Sequence, residues 1–195
     1  MTDDARHIRA YRDGDMSGFH TLYTRYERPV FFYIVSMVRD HHAAEDIFQD
    51  VWIQVVDKLP SFSGKGSFKN WLYTIAHHKT IDAIRRAGRS RHVSLDAPVD
   101  DDGAATFHDV LPDPAPDIVT RLATEELHGF VRDAVETLSD VQREVFLLRC
   151  DAGLKFKEIA EMTGAPLNTV LGRMHYAMNK IRNYLTEVTK DENAA

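Results

Sequence analysis

Apolar residues recur along this chain at spacings of three and four, and no stretch alternates apolar with polar as a half-buried strand would. Phe19, Leu22, Tyr23 and Tyr26 form one such stripe, and Pro29 predicts a bend or a restart just beyond it. A second helix is predicted in "DHHAAEDIFQDVWIQVVDKLP". There Ile47, Val51, Ile53 or Gln54, Val55 and Leu59 keep an apolar side until Pro60 stops it. After the loop "SFSGKGS", Phe68, Trp71, Leu72 and Ile75 stand at i, i+3, i+4 and i+7, so a helix restarts there and runs towards Arg89. Leu72 reads as core; Trp71 reads equally as core or as a contact surface.

The pattern resumes further on. "LSDVQREVFLLRC" opens with Ser139 and has Gln142 three residues later, a capping-box spacing ahead of an apolar run. "FKEIAEMTG" and "NTVLGRMHYAMNKIRNYL" follow, separated by a turn in which Gly164 suits a helix C-terminus of positive φ and Asn168 suits an N-cap. Val170, Met174, Ala177, Met178, Ile181 and Leu185 make the inner face of the last helix. Residues 93–120 break the pattern, with seven aspartates, no lysine or arginine, and four of the seven prolines. Such a stretch buries too little apolar surface to fold alone. The expected fold is therefore all-α: two small helical domains, residues 1–92 and 121–195, joined by an extended acidic linker over 93–120.

Composition narrows the class. The 195 residues are 44% hydrophobic and 28% charged, as in a globular protein, and no window approaches the roughly 20 apolar residues of a membrane span. The first residues lack the apolar core of a signal peptide, and a single cysteine forbids an internal disulfide; both point to the cytoplasm, with no membrane insertion. Cys150, inside "VFLLRC", is expected to be a buried, inert thiol.

The net charge of −6 conceals a segregation of sign. Residues 61–92 carry seven bases (Lys65, Lys69, Lys79, Arg85, Arg86, Arg89 and Arg91) against Asp82 alone, threaded with aromatics. Cations along a backbone and aromatic faces for bases are what a single strand of nucleic acid requires. Near the C-terminus, a short helix, a Gly-containing turn and a longer helix make a helix-turn-helix pattern, whose second helix can enter a DNA major groove. Its outward face would show Thr169, Gly172, Arg173, Tyr176, Asn179, Lys180 and Arg182.

"DHHAAEDIFQDVWIQVVDKLPSF" followed by "FKNWLYTIAHHKTIDAIRR" resembles region 2 of bacterial sigma factors, and the stretch from "DAVETLSD" to "NKIRNYL" resembles their region 4. The order, the length and an acidic linker in place of a third domain resemble the extracytoplasmic-function (ECF) class. The resemblance implies docking on core RNA polymerase, at the beta-prime clamp helices, through Asp46, Gln49, Asp50 and Trp52. It implies minus-ten DNA contacts from Lys65, Lys69, Trp71, Tyr73, His77, Arg85 and Arg86. Minus-thirty-five contacts fall to Lys157, Asn168, Thr169, Arg173, Tyr176 and Lys180, around a helix-turn-helix over residues 156–175 that opens at Phe156 and closes at His175. It further implies a second lobe resting on the polymerase's beta flap, control by an anti-sigma factor, and neither catalysis, cofactor nor metal.

Two departures from the family pattern stand out: His77-His78 weakens any inference about which minus-ten sequence is read, and Leu171-Gly172 implies minus-thirty-five binding that is either weak or aimed at an unusual sequence. Two other classes compete. A conventional helix-turn-helix regulator would use the last lobe alone. A metalloenzyme would use His42 with Asp46, or His78 with Asp82, yet neither is a HExxH pair. "GKGS" lacks the first glycine and preceding strand of a phosphate loop.

Overall fold

The computed structural model describes residues 3–64, 66–91 and 125–192, and the predicted linker lies outside them. The first lobe contains α1 (Asp3–Arg12), α2 (Met16–Val38), α3 (His41–Lys58), a 3-10 turn (Leu59–Ser61) and α4 (Phe68–Arg91). The second contains α5 (Glu125–Glu136), α6 (Asp140–Cys150), α7 (Phe156–Thr163) and α8 (Leu167–Glu192).

Local sequence explains the corners. Asp15 caps α2 by accepting from the Ser17 amide at 2.9 Å, and Asp40 caps α3 through the Ala43 amide at 3.0 Å. Between α2 and α3 the chain reverses at Arg39, which takes the left-handed conformation with φ 56°. At Gly18 helix α1 lies directly on α2: a Cβ there would meet the His7 carbonyl oxygen at 2.3 Å and the Tyr11 nitrogen at 2.9 Å. Arg25 pairs with Asp3 and Asp4, and the Tyr26 hydroxyl donates to Asp4 at 2.7 Å, strapping α1 down.

Leu22, Val30, Ile34, Val51, Val55, Leu59, Leu72 and Ala76 fill the first lobe with no exposed surface. In the second, Ala134, Val145, Leu148, Ile159, Val170 and Ala177 do the same. The two sets belong to one continuous core, because α2 packs on α6 and α4 packs on α7. The helices form two lobes, and these are closed on each other.

Three expectations change. Helix α2 continues unbroken through Pro29, whose neighbours Tyr26, Val30, Tyr33 and Ile34 are all buried and hold the helix across the missing donor. Ile53 points outward, 64% exposed, while Val51 and Val55 turn in. Asn168 is the second residue of α8, which begins immediately after Pro166, so it caps nothing. Helix α8, which carries the motif's last residue His175, runs on to Glu192 because Ala177 and Ile181 continue its buried stripe. The capping box at Ser139 forms, with its amide donating to Gln142 Oε1 at 3.4 Å, and Gly164 closes α7 at φ 69°.

Candidate nucleic-acid interface

Helix α4 begins at a built corner. Ser67 Oγ accepts from the Asn70 amide at 3.1 Å, fixing the first turn. Just before it, Gly64 and Gly66 take φ values of 71° and 86°, a backbone path unfavourable to other residues. The loop's other end is pinned by Arg12, which donates to the carbonyls of Leu59, at 3.3 Å, and Phe62. Beneath the loop lies an aromatic shelf: Phe62 and Trp71 rings are 4.9 Å apart, and Phe68 and Trp71 5.7 Å. Trp71 is half-buried, so it belongs to the core and still shows an edge to solvent. Phe62 and Phe68 are buried, and of the three rings Trp71 alone reaches solvent.

Along α4, Asn70, Tyr73, His77 and Thr80 are spaced three, four and three apart and share one face. This face is covered. Tyr73 is 1% exposed, His77 7% and Thr80 0%. Against them lie Tyr33 of α2, its ring 5.8 Å from Tyr73, and Glu144 of α6, whose Oε1 stands 2.7 Å from His77 Nδ1. That distance is an ion pair's, but the angles miss those of a hydrogen bond, so both atoms are left without one. The Tyr33 hydroxyl, Thr80 Oγ1 and Asn70 Oδ1 are likewise buried with no hydrogen-bond partner. Burial drives the phenols of Tyr33 and Tyr73 well above their ordinary pKa, keeping both neutral. At the rim, Arg39 of α2 pairs with Glu136 of α5 at 3.2 Å.

Helix α3 carries a second surface. Asp46, Gln49 and Asp50 are exposed on one face, and Ile53 continues it as an uncovered apolar residue. Asp50 reaches Lys79 of α4 at 3.2 Å. In the second lobe, α7 and α8 meet at the Gly164 turn with Val170, Met174, Ala177 and Ile181 turned inward. Lys157, Asn168, Thr169 and Tyr176 face outward, with Arg173 half-buried beside them. His175 is half-buried too, and its Nε2 meets Asn179 Nδ2, one turn on, at 2.9 Å. It thus engages its own helix and joins the outward face to the next turn of α8.

The Sigma-70 region 2 family matches residues 22–90, and the Sigma-70 region 4 family matches residues 131–181. Among curated proteins, the ECF RNA polymerase sigma factor SigK of Mycobacterium tuberculosis strain H37Rv is 30% identical over 182 residues, covering 91% of each chain. This chain belongs to the ECF sigma factors. SigW of Bacillus subtilis strain 168 is 28% identical over 189 residues, covering 94% of this sigma factor and 97% of SigW. Two solved structures share its fold. The sigma factor RpoE of Bartonella quintana, crystallised with the anti-sigma factor NepR, aligns with a TM-score of 0.63 and 24% identity, covering 86% of this chain and 96% of that one. CnrH in complex with the cytosolic domain of CnrY aligns with a TM-score of 0.61 and 21% identity, covering 94% and 97%.

Not every expected contact residue of this sigma factor is at its surface. Trp52 is buried among Phe19, Tyr23 and Phe48, with the Tyr23 ring 4.7 Å away, so it supports the α3 face from beneath. Tyr73 and His77 are buried, Tyr73 against Tyr33 of α2 and His77 against Glu144 of α6. Lys69 is half-buried, its Nζ near Gly153 of the second lobe. Arg85 and Arg86 are exposed; Arg86 Nε donates to the Asp82 carbonyl at 3.2 Å rather than to its carboxylate. Lys180 donates to the Thr137 carbonyl and so tethers α8 to the end of α5. Lys65 lies outside the described residues. Cys150 is half-buried, and burial pushes its thiol up to about 12, as an inert cysteine requires. His42 stands in solvent beside Glu45, at 3.6 Å.

Two residues that matter were missed. Arg143 is completely buried, and its guanidinium donates to the carbonyls of Val135 (3.2 Å), Glu136 (3.1 Å) and Leu138 (2.8 Å), closing the end of α5. Glu144 is the acid that meets His77. The signal was in the periodicity: Arg143 precedes Phe146 and Leu147 by three and four residues, and Glu144 precedes Leu147 and Leu148 likewise. Both charges sit on the apolar stripe.

Proposed function

We propose that this chain binds core RNA polymerase in the cytoplasm and directs it to a specific set of promoters, acting as an initiation factor without catalysis of its own. The observation that carries the reading is region 2 and region 4 in one chain, in order, together with an exposed Asp46/Gln49/Asp50 face on α3. That face, extended by Ile53, offers acids, an amide and an apolar anchor to the basic clamp helices of beta-prime. The aromatic shelf and glycine loop at the head of α4 receive the minus-ten strand. Lys157, Asn168, Thr169, Arg173 and Tyr176 approach the minus-thirty-five duplex, with the second lobe held on the beta flap. Relatives of this fold were solved bound to anti-sigma factors, which supports control of this chain by such a partner. A conventional helix-turn-helix regulator would leave the α3 face and the α4 corner without a task. The test is gel filtration of the purified chain with bacterial core RNA polymerase at physiological salt. Stoichiometric co-elution, competed by a housekeeping sigma factor, is expected. Tight binding to duplex DNA alone with no co-elution would shift the assignment to the conventional regulator.

A further inference from the structure

The loop that leads into α4 is not packed on the lobe at its glycines: a Cβ built at Gly64 or Gly66 meets nothing within 4 Å. Its place is set where it is anchored. At the α4 end, Ser67 Oγ holds the Asn70 amide. At the other end the chain leaves the 3-10 turn Leu59–Ser61 at Phe62, and the support there comes from a different helix. Arg12, in the last turn of α1, donates through Nη2 to the Leu59 carbonyl at 3.3 Å and to the Phe62 carbonyl. These two acceptors flank the turn, and the Phe62 amide donates to the same Leu59 carbonyl at 3.2 Å. One guanidinium nitrogen therefore bridges the entry and the exit of the turn, from 47 and 50 residues away in sequence. The Phe62 ring lies 4.9 Å from that of Trp71, so the placing of Phe62 sets both the start of the loop and a wall of the ring that reaches solvent.

Arg12 can hold this point because α1 is itself fixed. Ile8 is buried, the Tyr11 ring lies 5.7 Å from Phe19, Arg25 pairs with Asp3 and Asp4, and Gly18 lets the backbones of α1 and α2 touch. Hydrogen bonds from a charged donor are the strong class, and they fix direction as well as distance. Yet α1 lies outside the residues 22–90 that match region 2, and none of the polymerase or DNA contacts named above falls on it. We propose that Arg12 is a positioning residue for minus-ten recognition, and that α1 is the brace that carries it. It acts through Phe62, setting the backbone that leads to Gly64 and the exposed edge of Trp71 where an unpaired base is read. The inference rests on the function proposed above and adds α1 to its machinery. A recognition site has to be held to roughly 0.5 Å to discriminate. Loss of the bridge therefore costs base preference before it costs binding. The rival is a direct contact from Arg12, which is exposed, to a DNA phosphate; such a contact carries no sequence information.

The test is transcription by holoenzyme reconstituted from core RNA polymerase and the full-length chain. The template is a linear library with randomised minus-thirty-five and minus-ten elements, each promoter tagged by a transcribed barcode that is sequenced. Arg12→Ala is expected to flatten the preference at one minus-ten position by about tenfold, the size of a single mismatch. Preferences in the minus-thirty-five element and co-elution with core should be unchanged. Arg12→Lys should restore little, because its ammonium ends one bond short of the bridging nitrogen and lacks the planar fork. It keeps the stem and the charge, so it carries the comparison if the alanine variant does not fold. Arg6→Ala removes the same charge from the exposed side of α1 and should select the wild-type motif. A wild-type motif from both Arg12 variants, whatever the yield, would overturn the positioning role. A uniform loss of yield in Arg12→Ala that Arg12→Lys restores would overturn it in favour of a phosphate contact. If wild type neither co-elutes with core nor yields transcripts, the sigma-factor reading falls and takes this inference with it. If wild type selects a motif that both variants share, the inference alone fails.

Discussion

The outer face of α3 and the inner stripe of α4 are neighbours on one lobe, joined at Asp50 and Lys79, yet they stand in opposite states. Asp46, Gln49, Asp50 and Ile53 are open to solvent, whereas Tyr73, His77 and Thr80 are buried, Tyr73 against Tyr33 of its own lobe and His77 against Glu144 of the second. An open face meets its partner with no rearrangement. A covered one demands that α6 and α7 first move away. On the proposed function, the difference sets an order: polymerase is engaged before the strand is read. A factor that met DNA first would need the reverse exposure.

The largest expected effect comes from dismantling the cover at its foundation. Arg143→Ala removes the guanidinium from the carbonyls of Val135, Glu136 and Leu138; the first keeps the Leu138 amide and the second the Arg39 guanidinium, while the third loses its 2.8 Å donor. A loss of about 3 kcal/mol is expected, the upper end for hydrogen bonds from a charged donor lost together with its packing. Urea denaturation followed by circular dichroism reads it, and Arg143→Lys should rescue only part, because one ammonium lacks the fork geometry. A midpoint within error of wild type would mean that α5 and α6 are held by apolar packing alone, and that Glu144 owes nothing to this corner.

The open face is broken by reversing its sign. Asp46→Arg with Asp50→Arg should weaken association with core polymerase by about 100-fold, close to 3 kcal/mol. The helical spectrum should be unchanged, since both side chains are exposed. Normal co-elution of the double variant would move polymerase docking off α3 and remove the contrast between the two faces.

How much of this arrangement the sequence carried depends on the length scale. Helices, the Ser139 capping box and the Gly164 turn follow from periodicity and local backbone chemistry, and they stand where the spacing put them. Sidedness was harder. Ile53 and Gln54 were interchangeable on a helical wheel, and only the packing of Val51 and Val55 turns Ile53 outward. Trp52 and Tyr73 carry polar atoms on large apolar bodies, so a motif that names them cannot tell a contact from a support. A motif boundary is no better guide to a helix end, as His175 in the middle of α8 illustrates. The relation between lobes was not legible at all. It depends on residues far apart in sequence, His77 and Glu144 above all, and no local rule pairs a histidine in one domain with a glutamate in another. The buried Arg143 and Glu144 were legible in principle, as charges standing on an apolar stripe.

The smallest effect sharpens the comparison by strengthening the second lobe without touching its cover. Gly172 lies in the second turn of α8, away from the α4 contact, and a Cβ built there meets no atom within 4 Å. Gly172→Ala should therefore raise stability by about 0.5–1 kcal/mol through backbone entropy alone. Duplex affinity for a minus-thirty-five element is the discriminating reading. If it falls several-fold while stability rises, the missing side chain at this position serves close approach to DNA, and the glycine is kept for recognition at a cost in helix stability. If stability and duplex binding both rise, Gly172 is only a weak point in α8, and the outward face of that helix reads its element through Arg173 and Thr169 without help from it.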